Sequence, residues 1–122
     1  MSKKTIYICG PISYNPQEAF DNFLWAEIGL KREGYNVINP FTLVEGLDLH
    51  PTKDYEKIMR ICVSEMVSKA EEVCTLINWF ESPGAKREVS IAREMKIPVK
   101  HITKYLKLTI NDATINSSGK SS

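Results

Sequence analysis

The chain has 122 residues, of which 43% are hydrophobic, so it is long enough for one domain with a buried core and too short for two. Its 16 basic and 15 acidic residues leave a formal net charge of +1, which excludes a broad electrostatic attraction to nucleic-acid polymers or anionic membranes. Only a short apolar run, interrupted by Pro11, follows the basic start of the chain, so we expect neither a signal peptide nor a membrane span.

The first third of the chain predicts a strand, a helix and a second strand. Thr5–Cys9 is an apolar, β-rich run closed by Gly-Pro, which is typical of a parallel strand. Asn15, followed by Pro and then by Glu, indicates a helix start, and Gly34 ends the helical spacing of apolar residues. Residues 35–39 resemble a second strand, which Pro40 ends.

The rest of the chain continues the alternation. Residues 41–51 show neither helical nor strand periodicity, and we interpret them as a flexible loop over the site. Residues 54–69 have helical spacing, residues 72–79 form a near-continuous apolar run typical of a buried parallel strand, and residues 85–95 again have helical spacing. A fourth strand is predicted over residues 97–102.

This element order predicts an α/β fold, a single-domain doubly wound sheet of the flavodoxin or Rossmann type. We expect four to five parallel strands with flanking helices and right-handed crossovers over residues 1–110. Residues 111–122 are rich in Ser and Asn and are predicted to be a disordered tail.

Ligands of such sheets bind at the carboxyl ends of the strands. The predicted strand ends bring a small group of residues to that edge, and we predict that they bind substrate: Gly10, Pro11, Ile12, Asn39, Trp79, Ser82 and Gly84.

Glu88 is the candidate catalytic residue. It follows a Ser-Pro-Gly-Ala turn by a few residues, which predicts that it lies in the first turn of a helix. Unpaired backbone N–H groups and the helix dipole at that place favour anions, so the carboxylate is expected to be ionised and able to act as a nucleophile. The alternative is an ordinary capping glutamate.

The cysteines and histidines predict no metal site. Cys9, Cys62 and Cys74 lie inside apolar runs without a CxxC pair, which favours buried, reduced thiols and a cytoplasmic setting. His50 and His101 are far apart and have no partner at metal-ligand spacing.

Three spaced blocks resemble the nucleoside 2-deoxyribosyltransferase-like superfamily. They are the Thr-Ile-Tyr-Ile-Cys-Gly-Pro-Ile run at 5–12, the Gly-Tyr-Asn-Val-Ile-Asn-Pro run at 34–40, and Gly84-Ala85 with Glu88. The likeness covers roughly residues 5 to 102 and is greatest to a small phage and prophage branch that is often described only as a domain of unknown function.

The resemblance implies cleavage of the N-glycosidic bond of a deoxynucleoside or a nucleoside 5'-monophosphate. The glutamate matching Glu88 would attack the anomeric carbon, after which water gives hydrolysis and a second base gives transfer. Gly10 and Ile12 would line the sugar and base pocket, and Ser82 with the amides of Gly84 and Ala85 would meet the 5' group or its phosphate. It also implies a homodimer or higher homo-oligomer, in which residues 105–116 complete a partner's pocket.

Two aromatic residues have two interpretations. Trp79 is able to stack on a base, although a Trp that closes a buried strand is more often part of the core. Tyr7 has the same two interpretations, because a five-residue run does not fix its direction.

One departure from the superfamily pattern keeps a second hypothesis open. Val63 stands where many relatives have an aspartate that positions the sugar and handles the leaving base, so protonation of the leaving group is unassigned. A noncatalytic protein that sequesters or senses a nucleotide is the alternative. The sequence has neither a P-loop nor the Ser/Thr-rich loop of flavin-binding flavodoxin-like domains, so we expect no cofactor.

Overall fold

A computed structural model describes residues 3–12, 15–49 and 53–106. Strands and helices alternate along these residues. They are β1 (Thr5–Cys9), α1 (Pro16–Arg32), β2 (Asn36–Ile38), α2 (Pro40–Leu43), α3 (Tyr55–Lys69), β3 (Glu72–Thr75), a 3₁₀ turn (Trp79–Glu81), α4 (Pro83–Glu94), β4 (Val99–His101) and α5 (Ile102–Leu106). The predicted tail at 111–122 lies outside the described residues.

The four strands form one parallel sheet in the order β2-β1-β3-β4. Tyr7 of β1 is in register with Ile38 of β2 and with Val73 of β3, and Val73 is in register with Val99 of β4. The predicted single-domain α/β fold of four to five parallel strands is thus confirmed. In this strand order the chain reverses its direction of winding between β1 and β3, which makes that crevice the topological switch point.

Alternation along β1 separates two apolar cores, one on each face of the sheet. Ile6 and Ile8 belong to a buried cluster with Phe23 of α1 and with Ile102 of α5. Their neighbours Tyr7 and Cys9 belong to the other cluster, which contains residues of α3 and α4 such as Cys62, Met66 and Val89. Helices therefore cover both faces, and Tyr7 points toward α3 and α4.

Helix α1 begins and ends as its sequence predicts. The Asn15 side chain accepts a hydrogen bond from the backbone N–H of Glu18 at 3.3 Å, and Pro16 occupies the first helical position. After the helix the backbone reverses at Gly34, whose φ of +95° is accessible mainly to glycine. Local capping chemistry is sufficient to fix both ends.

Other boundaries differ from the prediction. Strand β3 ends at Thr75, and Trp79 lies in the 3₁₀ turn beyond it, because the chain bends where the Trp79 N–H donates to the carbonyl of Leu76 at 3.2 Å. The first residues of the predicted loop at 41–51 belong instead to helix α2. The Asn39 side chain caps the start of this helix by accepting a hydrogen bond from the Phe41 N–H at 3.0 Å. The predicted fourth strand is shorter, and Ile102 already begins α5.

Candidate functional site

Glu88 lies in the second turn of α4. The helix begins at Pro83, and the Ser82 side chain caps it by accepting a hydrogen bond from the Ala85 N–H at 3.1 Å. The prediction that Glu88 occupies the first turn is therefore wrong, since it is the sixth helical residue. At that position the carboxylate faces the sheet rather than the open backbone amides of the helix start.

The Glu88 carboxylate meets the side chain of Tyr7 in the interior. The Tyr7 hydroxyl donates to Glu88 Oε2 at 2.8 Å, and the exposed fractions are 0% for Tyr7 and 7% for Glu88. Two thiols complete the surroundings, because Cys9 from β1 and Cys62 from α3 are both close enough to Glu88 to interact with it electrostatically. Side chains from β1 and α3 thus surround the carboxylate that α4 carries.

Burial changes the protonation of this carboxylate. It raises the pKa of Glu88 to about 7, and the hydrogen bond from Tyr7, together with the nearby Cys9 thiol, offsets part of that rise. Burial therefore acts against the expectation that the helix start holds Glu88 ionised, because loss of hydration outweighs the local donors. With a pKa near neutrality, the group is able to act as a nucleophile or base when ionised and as an acid when protonated.

The neighbouring groups remain neutral beside Glu88. Burial, and then the charge of Glu88, raise the pKa of the Tyr7 hydroxyl well above its usual value, so Tyr7 stays a hydrogen-bond donor. The same two causes raise the pKa of Cys62 to about 12. The Cys9 thiol donates its proton to the Ala85 carbonyl at 3.4 Å. Cys9, Cys62 and Cys74 are buried and free, as predicted, and none is activated as a thiolate.

Pro11 and Ile12 lie at a different place from Glu88. They line a cavity of about 350 Å³ at the carboxyl ends of β1 and β3, on the side of the sheet that α1 covers. Glu88 is not among the residues that line this cavity. The structure therefore brings Tyr7 to Glu88, and this cavity contains Pro11 and Ile12 but neither Tyr7 nor Glu88.

Gly10, Asn39 and Trp79 make packing and capping contacts. A Cβ atom on Gly10 would lie 3.2 Å from Leu76, so the strand end packs closely against the chain that leaves β3. Besides capping α2, Asn39 donates through Nδ2 to Glu27 Oε1 at 2.9 Å. Trp79 is partly buried against the cluster that contains Tyr7.

The start of α4 packs against α3. A Cβ atom on Gly84 would approach the Met59 sulfur to 3.4 Å and the ring of Tyr55 to 3.6 Å. Arg87 Nη1 donates to the Tyr55 hydroxyl at 3.1 Å. Ala85 is 2% exposed, and its N–H is already bonded to Ser82.

Sequence reasoning missed two residues of the Glu88 environment, Cys9 and Cys62. In the sequence, both cysteines only show as members of apolar runs. Such runs predict burial but do not predict that α3 packs beside β1. Val63, beside Cys62 on α3, is half-buried and offers no titratable group.

The Tyr105 hydroxyl is bonded within the chain. It is 8% exposed, and its hydroxyl donates to Glu72 Oε1 at 2.7 Å. Residues 107–116 of the segment predicted to complete a partner's pocket lie outside the described residues.

Two kinds of feature are absent from the described ranges, a cluster of metal ligands and a membrane-spanning helix. Among residues 3–12, 15–49 and 53–106, no group of three or more His, Cys, Asp or Glu side chains is arranged to hold a metal ion. None of the helices in those ranges combines the length and apolar character required to cross a membrane.

Most of the chain matches a protein family. The model of a family described as "Domain of unknown function (DUF4406)" matches residues 4–101. No curated protein matches the chain. Because the matched range runs from the residue before β1 to the end of β4 and contains Tyr7 and Glu88, the chain belongs to the DUF4406 family.

Proposed function

We propose that this protein cleaves or transfers at the N-glycosidic bond of a nucleoside, a deoxynucleoside or a nucleoside 5'-monophosphate, with Glu88 as nucleophile. We also propose that the family is a branch of the nucleoside 2-deoxyribosyltransferase-like superfamily. One observation carries the proposal: Glu88 Oε2 accepts a hydrogen bond from the buried Tyr7 hydroxyl at 2.8 Å. The glutamate that we propose matches the superfamily nucleophile is thus held by a neutral donor.

The chemistry would be a double displacement. The ionised Glu88 carboxylate bonds to the anomeric carbon, while the bond to the base nitrogen breaks and its electron pair leaves with the base, which gains a proton. Water or a second base then attacks the same carbon and releases the carboxylate. Tyr7 would fix one carboxylate oxygen and so orient the other.

The surroundings of Glu88 favour a protected reaction centre. Val44, Leu47 and Leu49, which follow α2, pack with the cluster that contains Tyr7, and Glu88 itself is 7% exposed. Substrate entry would therefore require the buried carboxylate to become accessible. Once water is excluded, electrostatic interactions with the reacting atoms become stronger.

A noncatalytic nucleotide-binding protein is the second candidate. Val63, a half-buried apolar residue, stands where the superfamily pattern has an aspartate. Without a donor there, protonation of a leaving base would depend on solvent, and turnover would fall by roughly two to four orders of magnitude.

We also propose a homodimer or higher homo-oligomer. Phe20, Leu24 and Ile28 are 43%, 40% and 47% exposed and recur every four residues along α1. In an antiparallel pair of these helices, the acidic first half of α1 would lie opposite the basic end at Lys31 and Arg32 of a second copy. Reduced, buried cysteines fit the proposed cytoplasmic setting.

The test compares the parent with Glu88→Gln and with Glu94→Gln, an exposed glutamate on the same helix. Each protein is incubated with nucleosides, deoxynucleosides and 5'-monophosphates, with and without a second base, and the products are separated by liquid chromatography. We expect base release or exchange by the parent and by Glu94→Gln, but not by Glu88→Gln.

Binding of the same panel, measured by calorimetry, separates the two candidates. Saturable nucleotide binding without turnover would support the noncatalytic candidate. Neither turnover nor binding with any compound would contradict both.

A further inference from the structure

The cavity at the β1/β3 switch point is separate from Glu88. It is lined by the chain that leaves β1 at Pro11 and Ile12, by the chain that leaves β3 at Leu76 and Asn78, and by the first turns of α1. Its volume of about 350 Å³ lies in the range of small-molecule sites. Doubly wound sheets place ligands at this crevice, so the position and the size both indicate a binding site.

The walls are mainly apolar. Ala19 and Phe23 from α1, Leu76 after β3 and Ile102 at the start of α5 form its apolar walls. The aromatic residues Phe23 and Trp25 are among its lining residues. Apolar walls with an aromatic face suit a flat aromatic or heteroaromatic molecule.

The polar groups of the cavity are acidic or amide side chains. Glu18 and Glu81 are its charged lining residues, and the remaining polar side chains are those of Asn15, Asn22 and Asn78. Lys, Arg and His are absent from the described lining residues. Two carboxylates around an apolar space repel an anion and attract a cation, and an aromatic face adds cation–π attraction.

We propose that this cavity binds a small, flat aromatic or heteroaromatic molecule that is cationic or rich in hydrogen-bond donors, and that it excludes anions. The bound ring lies against Trp25 and the apolar walls, and its cationic or donor end faces the carboxylates of Glu18 and Glu81. A nucleoside monophosphate does not fit this electrostatic pattern. Because Glu88 does not line this cavity, the site is distinct from the proposed centre at Glu88, and its test does not require glycosidic activity.

The experiment uses two molecules of nearly the same shape and opposite charge. The full chain is titrated with benzamidine, a flat cation, and separately with benzoate, and binding is followed by ligand-observed NMR and calorimetry. We expect saturable binding of benzamidine and none of benzoate. Equal binding of both, or of neither, would overturn the proposal.

Two variants test whether benzamidine binds in this cavity. Glu81→Gln removes one charge at an exposed position and should weaken benzamidine binding about two- to fivefold, whereas the control Glu94→Gln should not change it. Ala19→Leu fills the cavity from α1 and should abolish binding while circular dichroism verifies the fold. Benzamidine binding that is unchanged in both Glu81→Gln and Ala19→Leu would place the molecule elsewhere and would refute the assignment.

Discussion

The Tyr7 hydroxyl donates to Glu88 Oε2 across 2.8 Å, although the two residues are 81 positions apart in the chain. This contact joins the central strand β1 to helix α4 inside the core. A buried carboxylate with a neutral donor is costly to ionise, and its pKa of about 7 expresses that cost. The same contact therefore affects both the stability of the fold and the proposed chemistry.

Tyr7→Phe removes the donor and leaves the ring in place. Because the hydrogen bond lowers the pKa of Glu88, its loss should raise that pKa further. We expect a loss of about 1–3 kcal/mol in the free energy of unfolding at pH 8, where the carboxylate is ionised, and a smaller loss at pH 5. Urea unfolding at both pH values measures the difference. Tyr55→Phe, which removes an exposed hydroxyl bonded to Arg87, is the control; equal losses at both pH values in Tyr7→Phe would contradict the prediction.

Glu88→Gln should change how stability depends on pH. The folded carboxyl has a pKa of about 7 against 4.5 for the ordinary group, so the folded state binds more protons between these values. The contribution of this group to the free energy of unfolding should therefore be greatest below about pH 4.5. It should fall by about 3 kcal/mol as the pH rises to 7 and change little at higher pH.

Unfolding of the parent, Glu88→Gln and Glu94→Gln from pH 5 to pH 8 measures this contribution. The difference in unfolding free energy between Glu88→Gln and the parent should grow with pH, whereas Glu94→Gln should follow the parent. A constant difference between Glu88→Gln and the parent would show that Glu88 does not titrate in this window.

Features set by local chemistry were predictable from the sequence. The limits of β1 and the start of α1 follow from an apolar run and from the Asn15 cap, each within a few residues. The parallel α/β fold follows from their alternation. By contrast, the start of α4 was predicted two residues late, because Pro83 occupies the first helical position instead of ending the turn, and this placed Glu88 in the wrong turn.

Features set by tertiary contact were not predictable. Both faces of β1 are buried, so apolar alternation carried no signal for the direction of Tyr7. The proximity of Cys62 to Glu88 depends on how α3 packs beside α4. The cavity beside Trp25 is built from three separated segments, and no local pattern marks it.

Glu72 organises the opposite end of the sheet. Its side chain accepts from Tyr105 at 2.7 Å, from Lys4 at 2.8 Å and from Lys100 at 3.1 Å. Burial acts to raise the pKa of Glu72, but the hydrogen bonds from Lys4, Tyr105 and Lys100 lower it overall. Its stabilising contribution is therefore present above the ordinary carboxyl pKa and is lost as pH falls through the depressed value.

Glu72→Gln should cost more than Tyr105→Phe. The first change removes the charge that two lysines share and should lower the unfolding free energy by about 2 kcal/mol at pH 7; the second removes one hydrogen bond and should cost about 1 kcal/mol. Thermal and urea unfolding rank the variants, with Glu94→Gln as the control. A Glu72→Gln protein as stable as the parent would show that the network is energetically neutral.

Leu24→Glu tests self-association through α1. A charge at the centre of the stripe of Phe20, Leu24 and Ile28 should prevent a second copy from packing there, so sedimentation should shift toward the monomer. Met95→Glu, a change at the exposed apolar residue that follows α4, is the control and should leave sedimentation unchanged. A parent that sediments as a monomer, or a Leu24→Glu protein that associates as the parent does, would rule out this interface.

The pH profile of turnover tests the role of Glu88 in the proposed reaction. Only the ionised carboxylate attacks carbon, and its pKa is about 7, so kcat/KM should rise about tenfold per pH unit well below 7 and level off above it. Tyr7→Phe should move the midpoint to higher pH, because the hydrogen bond that favours ionisation is lost. Glu94→Gln should keep the parent's midpoint. A midpoint that does not move in Tyr7→Phe would mean that the rate reports another group, and Glu88 would then have to be replaced as the nucleophile.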